Sequence, residues 1–145
     1  NLLVRLVTQD DKKQAQLVIH FIDAHKFFIS KTVLLELEWV LRFSYELPQE
    51  KIAYVFDQLL MLKNAVFEDS HAVNEALELF KQGNDFADAM HLVSAFACDD
   101  LVTFDKAFHK RIAKSNPGKV SLLKWSLAWL IQRFQLPHLL RNFDF

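Results

Sequence analysis

Turn-forming material is scarce in this chain, with two glycines and three prolines among 145 residues. So little of it excludes a loop-rich or low-complexity protein and leaves helices as the dominant element. One cysteine, Cys98, excludes a disulfide framework. Its place in an apolar segment makes a small buried hydrophobe the expected role. No apolar run approaches the ~18 to 20 residues that span a bilayer, and no signal peptide opens the chain, so a cytoplasmic protein is the default. Charge of one sign is also missing. Seventeen Lys and Arg face 18 Asp and Glu, a formal net charge of −1, so any contact with nucleic acid rests on a local patch and not on a global basic field. No Cys/His spacing suggests zinc. Neither a Ser-His-Asp set nor a glycine-rich phosphate loop is present.

What the chain does have is apolar mass: 52% hydrophobic residues, 14 of them Phe. That is enough for one domain with a real core. Residues 1–7 are expected to start a short helix, and Asp10 to cap a second running to about His25, with Ala15, Val18, Ile19 and Ile22 inward. Residues 27–29 read as a strand. Thr32 is expected to cap a helix to about Glu46, and Pro48 to open the next, to Leu62, with the stripe Ile52, Val55, Phe56, Leu59 and Leu60. Residues 65–67 read as a strand and 70–82 as an amphipathic helix stopped by Gly83. A helix from Asp85, with Leu92, Val93, Ala95 and Phe96 apolar, leads into 101–104, a β-prone run expected to be buried on both faces. Residues 108–114 form a basic helix and 120–123 a last strand, with a turn at 116–118 between them. Strands alternating with helical segments imply βαβ units and a parallel sheet covered by helices.

The segment from Asp85 to Asp105 organises the rest. Asp85 and Asp88 open its helix, and Asp105 stands at the strand's carboxyl end, where ligands collect in open parallel sheets. Each acid has a capping role as its plain explanation: Asp85 or Asn84 as N-cap, Asp88 in the first turn, Asp105 as cap of the next helix. Together they are placed to converge on a hard cation. In the helix from Thr32 two more acids differ. Glu38 precedes Arg42 by four residues, which a solvent-exposed pair explains. Glu36 has Val33, Trp39, Val40 and Phe43 as helical neighbours. In such a stripe an unpaired carboxylate costs several kcal/mol, roughly, so either a cation meets it or it lies at the stripe's edge. Lys106, Lys110 and Lys114 repeat at i,i+4 beside Asp105, a stripe that can track a phosphate backbone or simply face water.

At Thr32-Val-Leu-Leu-Glu-Leu-Glu-Trp-Val-Leu41, Asp85-Phe-Ala-Asp-Ala-Met-His91 and Leu101-Val-Thr-Phe-Asp105 the sequence resembles the PIN-domain ribonucleases, most closely the VapC-type toxins of bacterial toxin–antitoxin pairs. The opening Asn1-Leu-Leu-Val-Arg-Leu resembles the end of that family's Asp-Thr-Asn signature. The resemblance runs from Asn1 to about Leu123. It implies a three-layer α/β/α domain, helix-rich, with a parallel sheet of about five strands. It further implies cleavage of RNA dependent on magnesium or manganese, an antitoxin partner and a homodimer. The family's second, third and fourth acids fall on Glu36, Asp88 and Asp105, with Asp85 the alternative for the third. Asn1 matches the Asn of that signature and Thr103 the polar residue before the fourth acid; with Lys106 and Lys110 of the basic stripe they are the expected substrate contacts. The first acid belongs two residues before Asn1, so the expectation is that leading residues supply it together with the sheet's central strand.

Residues 124–145 lie beyond the resemblance. Trp125, Trp129, Leu130, Ile131 and Phe134 make an apolar tail, expected to be helical and to seek burial on the domain, on a second copy or in an antitoxin's groove. Two functions follow from the whole: a metal-dependent ribonuclease toxin, or a catalytically impaired PIN-like scaffold that binds protein.

Overall fold

The structure, a computed structural model, describes residues 2–115 and 118–123; Asn1, residues 116 and 117 of the expected turn at 116–118 and the tail from Lys124 lie outside the described residues. The chain divides into two compact units, residues 1–101 and 102–145. Seven helices account for 63% of the described residues, as the shortage of Gly and Pro implies.

The first unit opens with α1 (Leu2–Thr8) and α2 (Lys12–Ala24). Asp11, one residue later than expected, caps α2 by accepting from the N–H groups of Lys13 and Gln14, each at 3.0 Å. Asp10 is free for another role: it accepts from the Tyr45 hydroxyl at 2.6 Å and pairs with Arg5. These contacts hold its carboxyl well below the usual carboxylate range, the Tyr45 bond contributing most. On α2, Ala15 and Val18 are buried as expected, while Ile19 is exposed.

Strand β1 (Phe27–Ile29) follows, then α3 (Lys31–Phe43), α4 (Gln49–Leu60) and β2 (Ala65–Phe67). The two strands pair in parallel, Phe28 opposite Val66. A parallel pair needs a crossover connection, and α3 with α4 provides it. Ser30, not Thr32, caps α3, its hydroxyl accepting from Val33 N at 3.2 Å. Asn64 locks this arrangement from the far side. Its carbonyl accepts from Phe27 N at 3.0 Å, and its side-chain amide donates to Ile22 O and Asp23 O at the end of α2.

Next come α5 (Ser70–Lys81), capped by Asp69, and α6 (Phe86–Ser94), capped by Asp85. Between them Gly83 adopts φ +91°, the left-handed turn that ends a helix without penalty only for glycine. The buried Asn84 does not cap α6 but closes α5, donating its amide to Leu79 O at 2.8 Å. Leu34, Leu37 and Leu41 of α3, Phe56 of α4, Phe80 of α5 and Phe86 of α6 form the core. Phe86 meets Phe56 and Phe80 edge to face, with centroids 4.8 and 5.5 Å apart.

Three expectations fail after Ser94. The helix stops there, so Phe96, expected within it, is 80% exposed. Cys98 is exposed in the following turn and not a buried hydrophobe. Strand β3 (Leu101–Thr103) is not buried on both faces, since Val102 and, just after it, Phe104 are exposed. In the second unit α7 (Lys106–Ser115) and β4 (Val120–Leu122) follow, β4 pairing with β3. The expected sheet of about five strands is therefore corrected: among the described residues there are two sheets of two strands each. Each strand has only three residues, too few to carry a wide sheet on its own hydrogen bonds.

Candidate active site

Helix α3 carries apolar residues on two opposite sides, and packing selects one of them. The leucine side goes inward, with Leu34, Leu37, Glu38 and Leu41 buried; Glu36, Trp39 and Phe43 face out. This reverses the expected environment of Glu38, and for Glu36 it selects the edge of the stripe over burial beside a cation. Glu38 is 6% exposed and not a surface residue. Glu36 is exposed, beside a Trp39 that is itself 57% exposed, and makes no hydrogen bond or ion pair among the described residues. The leucine side of α3 packs on the elements beside it, α1, α4 and α6, and the Trp39 and Phe43 rings stay outside. Those rings instead lie against each other, centroids 5.6 Å apart.

The buried Glu38 is met by Arg42. The guanidinium pairs with Glu38 Oε1 through Nη2, as an ion contact and not an aligned hydrogen bond. Through Nη1 it reaches Asp85 Oδ2 at 3.3 Å, and it lies 5.8 Å from the centre of the Phe80 ring. One cation thus joins α3, α5 and α6. Burial raises the Glu38 pKa; the charge of Asp85 adds to the rise and Arg42 opposes it.

Both oxygens of Asp85 are engaged. Oδ1 accepts from Ala87 N at 2.9 Å and Asp88 N at 3.2 Å, and Oδ2 faces Arg42. Asp85 is therefore the cap of α6 in the structure. Asp88, half-buried, sits in the first turn beyond it.

Asp105 belongs to the second unit and does two things at once. Its Oδ1 caps α7, accepting from Ala107 N at 2.7 Å and Phe108 N at 3.0 Å. These backbone bonds, that to Phe108 foremost, lower its pKa. The carboxylate is exposed, and no bond from a described residue reaches Oδ2. Thr103 fixes the turn, its hydroxyl accepting from Asp105 N at 3.0 Å. Lys106, Lys110 and Lys114 are exposed on α7. Asn1 lies outside the described residues.

Hard divalent ions take oxygen ligands, and magnesium is commonly held by one or two carboxylates with waters and phosphate oxygens completing its shell. By donor type Glu36, Asp88 and Asp105 fit such an ion. Among the described residues no group of three or more His, Cys, Asp or Glu is arranged to hold a metal. Glu36 and Asp88 lie in the first unit and Asp105 in the second. The expected Glu38–Arg42 pair forms, but the sequence reading missed its burial and its reach to Asp85, although the spacing 34, 37, 38, 41 already puts Glu38 among leucines.

No helix among the described residues is long and apolar enough to cross a membrane. No curated protein and no solved structure gives a significant match to the chain. The family model for the PIN domain matches residues 1–114. PIN domains are typically metal-dependent nucleases that act on RNA or DNA. With more than three quarters of its length matched, acids opening α6 and following β3 included, the chain belongs to the PIN-domain family.

Proposed function

We propose that this PIN domain is a metal-dependent endoribonuclease of the VapC toxin type, cytoplasmic, homodimeric and held in check by a protein antitoxin. Glu36, Asp88 and Asp105 are its metal-holding carboxylates, with magnesium or manganese as the ion. The observation that carries the reading is Asp105: an ionised, accessible carboxylate directly after β3, with one oxygen spent on the helix cap and the other open. The accessible Glu36 on α3 supports it, as does the family match that contains all three acids.

The chain's own residues divide the work. Thr103 holds the backbone of Asp105 and the two cap bonds hold its Oδ1, so the carboxylate's aim is set by the turn and not by a free rotamer. Lys106 and Lys110, one turn apart and exposed, bind successive phosphates of an RNA strand. When bound, the ion supplies Lewis acidity at the scissile phosphate and lowers the pKa of an attacking water.

The test is cleavage of a single-stranded RNA by the full chain with magnesium, with manganese and with EDTA, beside Asp88→Asn and Asp105→Asn. Cleavage that needs the metal and falls at least 100-fold in both variants is expected. Cleavage unaffected by EDTA or by the substitutions refutes the proposed site. A folded parent chain that binds a protein partner but cleaves nothing supports the scaffold reading, which the absence of a three-donor group among the described residues favours.

A further inference from the structure

The near-zero net charge conceals a division that follows the two units. Residues 1–101 carry nine of the 17 Lys and Arg and 16 of the 18 Asp and Glu; residues 102–145 carry the other eight cations and only two acids. One of those acids is Asp105, and from Lys106 to Leu123 there is none. Helix α7 bears most of the charge in that stretch. Phe108 and Ile112 are fully buried and α7 packs on β4, which fixes the helix by one side. Lys106, Lys110 and Lys114 follow one another about a turn apart on the opposite side, with Arg111 next to them, and all four are exposed. Lys119, just beyond the helix at the entrance of β4, is exposed as well.

In the first unit Arg5, Lys31, Arg42 and Lys81 each face at least one Asp or Glu. Lys106, Lys110, Lys114 and Lys119 make no ion pair among the described residues. Like charges at i,i+4 weaken a helix, and α7 holds two such lysine pairs in ten residues. The fold gains nothing from that row, whereas a polyanion laid along the helix relieves its repulsion. The phosphodiester backbone of a nucleic acid is such a polyanion, with charges repeated along a line as the lysines are. The row from Lys106 to Lys114 covers about 12 Å at 1.5 Å per residue. It starts beside Asp105 and leads away from it.

We propose that the exposed side of α7, continued by Lys119, is a track for the backbone of single-stranded RNA that runs well past the scissile phosphate. The substrate class is then an RNA extending several nucleotides to that side of the cut. This rests on the reading of RNA as the substrate, and it adds Arg111, Lys114 and Lys119 to the contacts at Lys106 and Lys110. The track holds the backbone and reads no base, because contacts to phosphate position a strand without carrying sequence information.

The experiment measures binding of a labelled RNA of about ten nucleotides to the full chain by fluorescence anisotropy in EDTA, with circular dichroism as the check on folding. Neutralising five phosphates of a single strand gives a slope of log K against log salt of about −3.5, so affinity should fall at least about 100-fold between roughly 50 and 200 mM salt. Lys114→Gln combined with Lys119→Gln should make the slope shallower by about 1.4. Lys12→Gln combined with Lys13→Gln makes the same change of charge at exposed positions of α2, in the acidic unit, and should leave the slope as it is. An unchanged slope in the Lys114 and Lys119 variant overturns the track. Equal changes in the two double variants mean a diffuse field and overturn it too. Self-association of the full chain that this variant abolishes, with no RNA bound, makes the acidic unit of a second copy the occupant and also overturns it. Cleavage with magnesium is scored separately. RNA held with the expected slope and never cut sinks the nuclease reading and leaves the track standing, whereas cutting without the slope change does the reverse.

Discussion

Replacing Arg42 by Met should destabilise the fold, and by an amount that depends on pH in a defined direction. The Glu38 side chain is 8% exposed and that of Arg42 32%. Breaking a buried ion pair by removing one member costs about 3–5 kcal/mol; Arg42 is a third open to water, which softens the loss below that range, to about 2–3 kcal/mol at pH 7.5. The sign of the pH effect follows from Glu38. Burial raises its pKa in the fold and Arg42 restrains the rise, so the variant's folded pKa is higher still. The native variant then binds a proton more tightly than the unfolded chain. The stabilisation from that proton is fully present below the ordinary glutamate value and is lost as pH rises through the folded value. Arg42→Met should therefore show a smaller deficit at pH 5 than at pH 7.5, measured by urea denaturation followed by circular dichroism. Glu38→Gln removes the charge that needs a partner and should cost no more than about 1 kcal/mol at pH 7.5. Combined with Arg42→Met, it should recover more than half of that variant's loss. An equal Arg42→Met deficit at the two pH values, or a Glu38→Gln loss as large as that of Arg42→Met, refutes the reasoning.

Phe86→Ala, which empties a fully buried site between the Phe56 and Phe80 rings, should cost about 3–5 kcal/mol by denaturant midpoint; Phe86→Leu should cost clearly less. Asp11→Ala deletes the two cap bonds of α2 and should lower stability by about 1 kcal/mol. Gly83→Ala meets no atom within 4 Å of the new Cβ, so its whole cost is the left-handed backbone, about 1–2 kcal/mol. Equal stability of the alanine variant and the parent excludes that φ from the folded chain in solution.

Much of this protein is decided by nearest neighbours in the chain. Caps, stops and short β-branched runs act within four residues, so β1, β2, β4 and the seven helices fall within a few residues of where their local signals place them. Gly83 and Asp85 do what their positions imply, and the spacing of three motif segments is enough to indicate the PIN family that the match over residues 1–114 shows. The faces of α3 are different. Its two apolar sides are equivalent by periodicity, and only packing against α1, α4 and α6 takes the leucines inward and leaves Trp39 and Phe43 out. With that choice Glu38 becomes buried, the reverse of the local reading, and Glu36 takes the accessible edge that the local reading had left open. Asn64 bonding Ile22 and Asp23, and Arg42 spanning Glu38 and Asp85, join residues 41 to 43 positions apart or more than one element. The Glu38–Arg42 half of that link is local and legible, but no short window contains Arg42 with Asp85 or Asn64 with Ile22, because their energy exists only once the helices are packed; local chemistry determined the elements, and tertiary packing decided which carboxylate is held and which is open.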